Sequence, residues 1–238
     1  MTEIFSSVQG EGKYLGCRQI FVRSANCNLR CAYCDTNFAR SRWCRVHRAG
    51  STEFDLEENP LSARRVTEVV KNLAGSVPTQ AVSFTGGEPL LSWEFVGSVA
   101  RAVKEFGLKI FLETNGTLAA EYERIAAVVD VVSMDIKLPS AGVDLFAEHE
   151  KFLRAAQAKD LYVKIVVTGE TRAEEFAAAV KLVAGVDPNI LLIVQPVTPH
   201  GKVRAASAEQ LLSLQALALR KLKDVRVIPQ THKLMNLL

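Results

Sequence analysis

Three thiols stand close together in Cys27-Asn28-Leu29-Arg30-Cys31-Ala32-Tyr33-Cys34, spaced C-x3-C-x2-C within one short loop. Thiolate sulfur is a soft ligand, suited to iron–sulfur clusters, zinc or Cu(I), and a closed structural zinc site normally takes four protein ligands. On a cubic four-iron, four-sulfur cluster, three cysteines leave one iron without a protein ligand, an open position at which chemistry can happen. Two other readings stay open from the residues alone: a zinc site that recruits Cys44 or His47, or reduced cysteines with no metal. Cys17, in a Gly-rich turn, and Cys44, among basic residues, have no paired ligand in nearby sequence and are placed outside the cluster.

Such a loop has to be held by ordered structure. Gln19-Ile20-Phe21-Val22-Arg23 is a short apolar run bounded by turn residues, a buried strand that delivers the loop from its carboxyl end. Ahead of it come Val8-Gln9-Gly10-Glu11-Gly12 and Gly16, glycines that serve either a tight turn or a binding loop. Residues 37–59 are polar and without periodicity, Arg40, Arg42, Arg45, His47 and Arg48 preceding Glu53, Asp55, Glu57 and Glu58, and read as an irregular insert or lid.

Regular alternation begins at Ser62, an N-cap for a helix to about Leu73. Strands are predicted at Ala81–Thr85, Lys109–Glu113, Val131–Met134, Tyr162–Val167, Ile190–Gln195 and Val225–Pro229, with helices at Ser92–Phe106, Leu118–Val128 and Phe146–Lys159 between them. Two further helices carry capping-box signatures, Thr171 with Glu174 and Ser207 with Gln210. Strands that read as apolar throughout and alternate with helices indicate a parallel sheet covered by helices, an α/β domain. Polar and special residues collect just after these strands: Thr85-Gly86-Gly87-Glu88-Pro89, Glu113-Thr114-Asn115-Gly116, Ser133 to Lys137, Lys164 with Thr168, Gln195, Gln230 and His232. In parallel α/β barrels the carboxyl-end loops hold the active site, so these segments and the cysteine loop are expected on one rim.

Length and composition bound the rest. A chain of 238 residues can bury one large core, and 48% hydrophobic with 23% charged residues are globular values. A net charge of +3 does not point to nucleic acid. Met1-Thr2-Glu3-Ile4-Phe5 lacks a secretory pattern and no apolar run reaches spanning length, so a cytoplasmic protein without membrane association is expected. Five cysteines, an odd number with three clustered, fit a reduced compartment and metal ligation better than disulfides.

Thr85-Gly86-Gly87-Glu88-Pro89 after the cysteine loop resembles the Gly-Gly-Glu motif of the radical S-adenosylmethionine (radical SAM) superfamily, whose free iron is chelated by the methionine moiety of the cofactor. Glu3-Ile4-Phe5, Gln9-Gly10-Glu11-Gly12, Phe21-Val22-Arg23, Cys34-Asp35-Thr36, Glu113-Thr114-Asn115-Gly116 and Pro229-Gln230-Thr231-His232-Lys233-Leu234 resemble, more narrowly, the 7-carboxy-7-deazaguanine synthase family. The resemblance implies a single radical SAM domain over residues 1–238, an incomplete TIM-like β/α barrel with the insert after the cluster loop. It implies conversion of 6-carboxy-5,6,7,8-tetrahydropterin to 7-carboxy-7-deazaguanine on the route to deazapurine-modified tRNA bases. A 5'-deoxyadenosyl radical takes hydrogen from C6, the ring contracts, ammonia leaves and S-adenosylmethionine is recycled.

Residue roles follow from the same resemblance. Cys27, Cys31 and Cys34 would ligate a [4Fe-4S] cluster and Thr36 a Mg2+ ion. Val8, Gln9, Gly10, Glu11, Arg23, Thr85, His232 and the terminal Leu238 would meet the pterin, and Gly87, Glu88, Glu113, Asn115, Ser133, Asp135, Lys137 and Gln195 the S-adenosylmethionine. Catalysis would lie with the cofactor rather than with a side chain. A homodimer and an electron donor of the flavodoxin or ferredoxin type are implied as well. Asn26 stands where the family commonly has Gly, and Asn tolerates positive φ; Tyr33 stands where Trp is common. The same C-x3-C-x2-C occurs in glycyl-radical enzyme activases, the alternative enzyme, and a zinc-binding module is the alternative outside catalysis.

Overall fold

The computed structural model describes residues 1–34, 42–142 and 144–237, so Thr36 and Leu238 lie outside the described residues. Ten strands form one sheet: β1 (Glu3–Val8), β2 (Arg18–Ser24), β3 (Trp43–His47), β4 (Phe54–Glu58), β5 (Ala81–Gly86), β6 (Lys109–Thr114), β7 (Val131–Ile136), β8 (Asp160–Val167), β9 (Leu191–Pro196) and β10 (Val225–Val227). Their order is β10-β9-β8-β7-β6-β5-β2-β1-β3-β4, open at both edges. From β2 to β10 every pairing is parallel. The helices are α1 (Ala63–Ser76), α2 (Trp93–Lys104), α3 (Ala119–Ile125), α4 (Phe146–Ala156), α5 (Ala173–Val186), α6 (Ala208–Leu219) and the short α7 (Thr231–Leu234).

Alternation along each strand divides the two faces. Val82, Phe84, Ile110, Leu112, Val132, Met134, Val163, Ile165, Leu192 and Val194 point outward into the core shared with the helices. Inward-facing Ala81, Phe111, Val131, Tyr162, Leu191 and Ile193 make a second, smaller core. Two residues further along the same faces the side chains turn polar: Ser83, Glu113, Ser133, Lys164 and Gln195, all buried or half-buried. Contrary to the expectation from the sequence, the strands are therefore not apolar throughout; their inner faces carry an apolar floor and a polar upper tier.

The sheet is strongly curled. β1 and β8 are five positions apart in strand order, roughly 24 Å on a flat sheet. Yet Glu11, just after β1, is ion-paired with Lys164 of β8, and Thr231 N donates to Gly10 O at 2.9 Å. The segment after β1 thus spans the opening of an incomplete barrel.

The insert over 37–59 is corrected by β3 and β4, which form an antiparallel hairpin docked in parallel on β1. Cys44 and Val46 face the core while Trp43 and Arg45 face out, a period of two hidden by the density of charge. Those charges pair locally: Arg42 with Glu58 at 3.0 Å, Arg65 with Glu57 at 2.7 Å and Arg45 with Glu3 at 3.4 Å. Exposed pairs of this kind add little stability, but a charged edge strand resists pairing with other chains. The antiparallel β1–β2 pair is a second departure from an all-parallel sheet.

Caps follow the sequence in part. Ser62 Oγ accepts from Arg65 N at 3.1 Å, and Ser207 Oγ from Gln210 N at 3.1 Å. Gln210 does not reach back to its cap; its amide donates to Thr168 O and Thr171 O. The other box is shifted by one residue, Arg172 N donating to Glu175 Oε1 at 2.9 Å, because Thr171 Oγ1 is taken by Thr168 N.

Candidate active site

The carboxyl ends of the strands surround a cleft of about 1310 Å³, its open mouth included. Cys27, Cys31, Cys34, Val8, Gln9, Gly10, Glu11, Arg23, Thr85, Gly87, Glu113, Asn115, Ser133, Asp135, Lys137, Gln195 and His232 all line it. Sequence reasoning named Lys164 and Gln230 only as rim residues and Tyr33 only as a ring that could shield the cluster in place of the family's Trp, and it missed His200 as a wall residue. The inward period through Tyr162 and Lys164 could have assigned the first; nothing local marks His200.

The cysteine loop is clasped by the turn that leaves β5. Gly87 N donates to Ser24 O at 3.1 Å and Glu88 N to Asn26 O at 2.7 Å, extending the β2–β5 ladder past its formal end. Gly86 adopts φ +101°, and a Cβ on Gly87 would lie 2.0 Å from Asn26 O. Asn26 is not in the left-handed region, Asn236 being the non-glycine residue with positive φ among those described, so the expected reason for Asn26 fails. Its carbonyl, a fixed acceptor for Glu88, is what the clasp uses. Within the loop Cys34 N donates to Cys31 O at 3.0 Å, and Cys27 Sγ receives Leu29 N at 3.4 Å and Asn115 Nδ2 at 3.8 Å.

Glu88, expected at the cofactor, lies beneath the cleft. Its Oε1 accepts from Leu90 N at 3.0 Å and Thr114 Oγ1 at 2.9 Å, and its Oε2 accepts from Asn115 N at 2.7 Å. Burial pushes this carboxyl up to about 7 even against those three donors. The residue fastens the Gly-Gly turn to the end of β6 and is not among the residues that line the cleft.

Three carboxylates do face the cleft. Glu113 accepts from Thr85 Oγ1 at 2.8 Å, Gln9 Nε2 at 2.9 Å and Ser83 Oγ at 3.4 Å. Asp135 Oδ2 is paired with Lys137 Nζ at 2.8 Å; burial opposes the Lys137 charge, but Asp135 holds its pKa well above the ordinary lysine value. Burial likewise opposes ionisation of Glu11, and Lys164, Gln230 and His232 override it to hold the carboxyl at about 2. Gln9, expected to read substrate, is 3% exposed and spends its amide N–H groups on Gln19 and Glu113 and its oxygen on Glu11 N. Arg23 lines the wall with its Nε 2.9 Å from Glu3 Oε1 and its guanidinium over Phe5.

Among the described residues no three His, Cys, Asp or Glu side chains converge as ligands of a single ion, so the fit to a cluster and its cofactor rests on donor chemistry. Three soft thiols share one wall. Burial raises the Cys27 and Cys31 thiols above their ordinary range, so ligation releases their protons. In the same cleft Ser133 Oγ, Asp135 Oδ1 and Gln195 Oε1 are buried without a hydrogen-bond partner in the protein. Orphaned acceptors of this kind call for a polar ligand, and an amino acid moiety with a ribose supplies the matching donors. The zinc alternative loses its fourth ligand: Cys44 is wholly buried in the outer core, its thiol pushed up to about 11 by burial, and His47 Nδ1 accepts from Ser6 N at 3.3 Å.

Behind the site His149 of α4 is fully buried, its Nε2 3.1 Å from Asn115 O. Burial lowers its pKa to about 4, so the ring is neutral and Nε2 carries the proton it donates. A depressed folded pKa contributes stability that is fully present above the ordinary value and lost as pH falls toward the folded one. His149 is therefore expected to contribute about 3 kcal/mol that disappears between about pH 6.5 and pH 4. Chemical denaturation of wild type and His149→Gln across this range checks it; a constant difference between the two removes the assignment.

An open, parallel-rich sheet with outer helices and a thiol triad at its strand ends defines a radical SAM domain, and the model of the Radical SAM superfamily matches residues 21–182. Among solved structures, a radical SAM methyltransferase from Sphaerobacter thermophilus superposes with TM-score 0.62 at 14% identity, covering 90% of this chain and 66% of that one. Streptococcus suis SuiB bound to S-adenosylmethionine gives 0.61 at 14% identity, covering 88% and 49%. The chain belongs to the 7-carboxy-7-deazaguanine synthase family of this superfamily. It is 40% identical to the Geobacter sulfurreducens synthase over 242 residues, 99% of this chain and 96% of that protein. With the Methanocaldococcus jannaschii synthase it shares 36% identity over 251 residues, 99% of each.

Proposed function

We propose that this enzyme converts 6-carboxy-5,6,7,8-tetrahydropterin to 7-carboxy-7-deazaguanine with loss of ammonia. The observation that carries the reading is the meeting, in one cleft, of the thiol triad and orphaned acceptors with Glu11, Arg23 and His232. When bound on Cys27, Cys31 and Cys34, the cluster with S-adenosylmethionine supplies a carbon radical able to abstract hydrogen.

The chain's own residues bind, orient and exclude water. Ser133, Asp135 and Gln195 offer acceptors to the cofactor, with Gly87 permitting close backbone approach and Asn115 and Glu113 completing that wall. Arg23 presents a planar guanidinium to the substrate carboxylate while Glu3 fixes its Nε side. Glu11 accepts from the amino and amide edge of the pterin, and Gln9, tied to Glu113 and to Glu11 N, holds that segment in place. Gly10 lets this backbone lie against the His232 ring, where a Cβ would come within 2.4 Å. Thr85 and Val8 flank the substrate side. Thr36 would place Mg2+ beside the substrate carboxylate, a hard ion with oxygen ligands. A homodimer in the cytoplasm, served by a flavodoxin- or ferredoxin-type donor, completes the reading; among the described residues no helix is long and apolar enough to cross a membrane.

Anaerobic incubation of cluster-loaded protein with the carboxypterin, S-adenosylmethionine, Mg2+ and a reductant is expected to yield the deazapurine with S-adenosylmethionine regenerated, and Thr36→Ala to weaken the Mg2+ dependence. Stoichiometric consumption of S-adenosylmethionine without deazapurine would count against the synthase and for an activase.

A further inference from the structure

One buried cation in the cleft has no part in the roles above. Lys164, on the inner face of β8, is 5% exposed and its ammonium is ion-paired with Glu11 Oε2. Gln230 Nε2 donates to the other oxygen, Oε1, at 3.0 Å. Each carboxylate oxygen thus has one protein donor and keeps capacity for another. Both partners come from elements remote from β1, so the position of Glu11 is decided by β8 and by the turn after β10.

We propose that Lys164 is a positioning residue that keeps Glu11 an ionised, acceptor-only group, and so sets the preference of the cleft for a substrate edge bearing two adjacent N–H donors. This rests on the pterin reading above, since the amino and amide N–H groups of a pterin form such an edge. An ionised carboxylate accepts on both oxygens, whereas a protonated one turns an O–H outward and opposes a substrate N–H. A buried carboxylate without a cation reverts to the neutral form. Removal of Lys164 leaves Glu11 facing His232 and Gln230 from the carboxyl-terminal turn and Tyr162 from β8, while Glu113 of β6 and Asp135 of β7, which also surround Lys164, keep their own partners, Asp135 being paired with Lys137. Specificity of this kind comes from mispaired polar groups, which reject an acceptor-bearing edge more strongly than shape does.

The test is anaerobic calorimetric binding of 6-carboxy-5,6,7,8-tetrahydropterin to cluster-loaded enzyme between about pH 6 and pH 9. Wild type, Lys164→Met, Lys164→Arg and the double variant Glu11→Gln with Lys164→Met are compared, and circular dichroism at each pH confirms the fold. Lys164→Met is expected to bind about 10- to 100-fold more weakly than wild type, the loss growing as pH falls. Lys164→Arg should keep the wild-type pH dependence, and the double variant should be weak at every pH. Lys164→Met with the wild-type pH dependence overturns the proposal, as does a double variant that still loses affinity with falling pH. The Glu11 side-chain carbon shift, followed by NMR without ligand, is expected to titrate at higher pH in Lys164→Met than in wild type. An unchanged titration overturns the proposal whether or not any pterin binds, whereas failure of wild type to bind the carboxypterin overturns the function instead.

Discussion

Gly87→Ala is expected to yield a folded protein that no longer holds its cluster. An added Cβ would stand 2.0 Å from Asn26 O, 2.5 Å from Asn26 C and 3.1 Å from Cys27 N. These are backbone atoms, so no side-chain rotation relieves the clash. They are also pinned, since Glu88 N donates to Asn26 O and Gly87 N to Ser24 O. The relief must come from displacing the stretch that enters the cysteine loop, or from breaking both bonds. Overpacking of this sort costs roughly 1–3 kcal/mol, which for a chain of this length lowers Tm by about 2–12 °C. The functional loss should be larger than the stability loss, because the strain falls directly on the placement of Cys27. Iron content after reconstitution, read beside the melting temperature, checks this. Gly185→Ala in α5 is the matched control, with nothing within 4 Å of its Cβ, and should retain iron. Wild-type iron in Gly87→Ala would show that the clasp does not position the loop.

The second large effect is expected at Glu88. Alanine there orphans two backbone N–H groups and one hydroxyl in a site that water does not reach. At about 1–3 kcal/mol for each unsatisfied buried group, and less than additively for neighbours, the loss should be about 3–5 kcal/mol. Urea denaturation reads this directly, and a loss below about 1 kcal/mol would mean that the three donors find other partners. Glu88→Gln should fall between, because its amide sets a donor against one of the three. The carboxyl also carries a pH signature. Its folded pKa is about 7 against an ordinary 4.5, so its contribution is fully present below about pH 4.5 and is lost as pH rises through about 7, on the order of 3 kcal/mol. This slope runs opposite to that of His149 over much of the same window. The wild-type profile should therefore be flatter than either group alone would make it, and Glu88→Gln should expose the acid-side loss due to His149.

Both effects fall on residues that a motif names without explaining. Gly-Gly-Glu after a strand is legible as a radical SAM feature, but the motif suggests a cofactor contact for Gly87 and Glu88 alike. The fold separates them. Gly87 lines the cleft and bears on the cysteine loop, while Glu88 turns under the floor to staple β6. Direction of the side chain, set by one backbone turn, makes the difference, and it cannot be read from residue type.

Period was informative where one face of an element is polar and misleading where charge hides it. The hairpin of β3 and β4 reads as irregular because Arg, His and Glu crowd around only two buried positions, Cys44 and Val46. The inner faces of β5 to β9 read as apolar because Ser83, Ser133 and Gln195 are few and each follows a Val, with Phe84, Met134 and Pro196 on the other side. Their polarity is placed at every second residue, which is the part of the pattern that builds the cleft.

By itself the sequence determined the ligand chemistry, the strand-then-helix order and the family, since spacing within a loop and period along an element are local properties. Only the tertiary structure decided how the sheet curls, and with it that Glu11 is clamped by Lys164 and Gln230. It also decided that Asn115 backs Cys27 and that Glu88 supports rather than binds. Contacts between residues 11 and 164, or 27 and 115, depend on the summed twist and curvature of intervening strands, a quantity that no local pattern encodes.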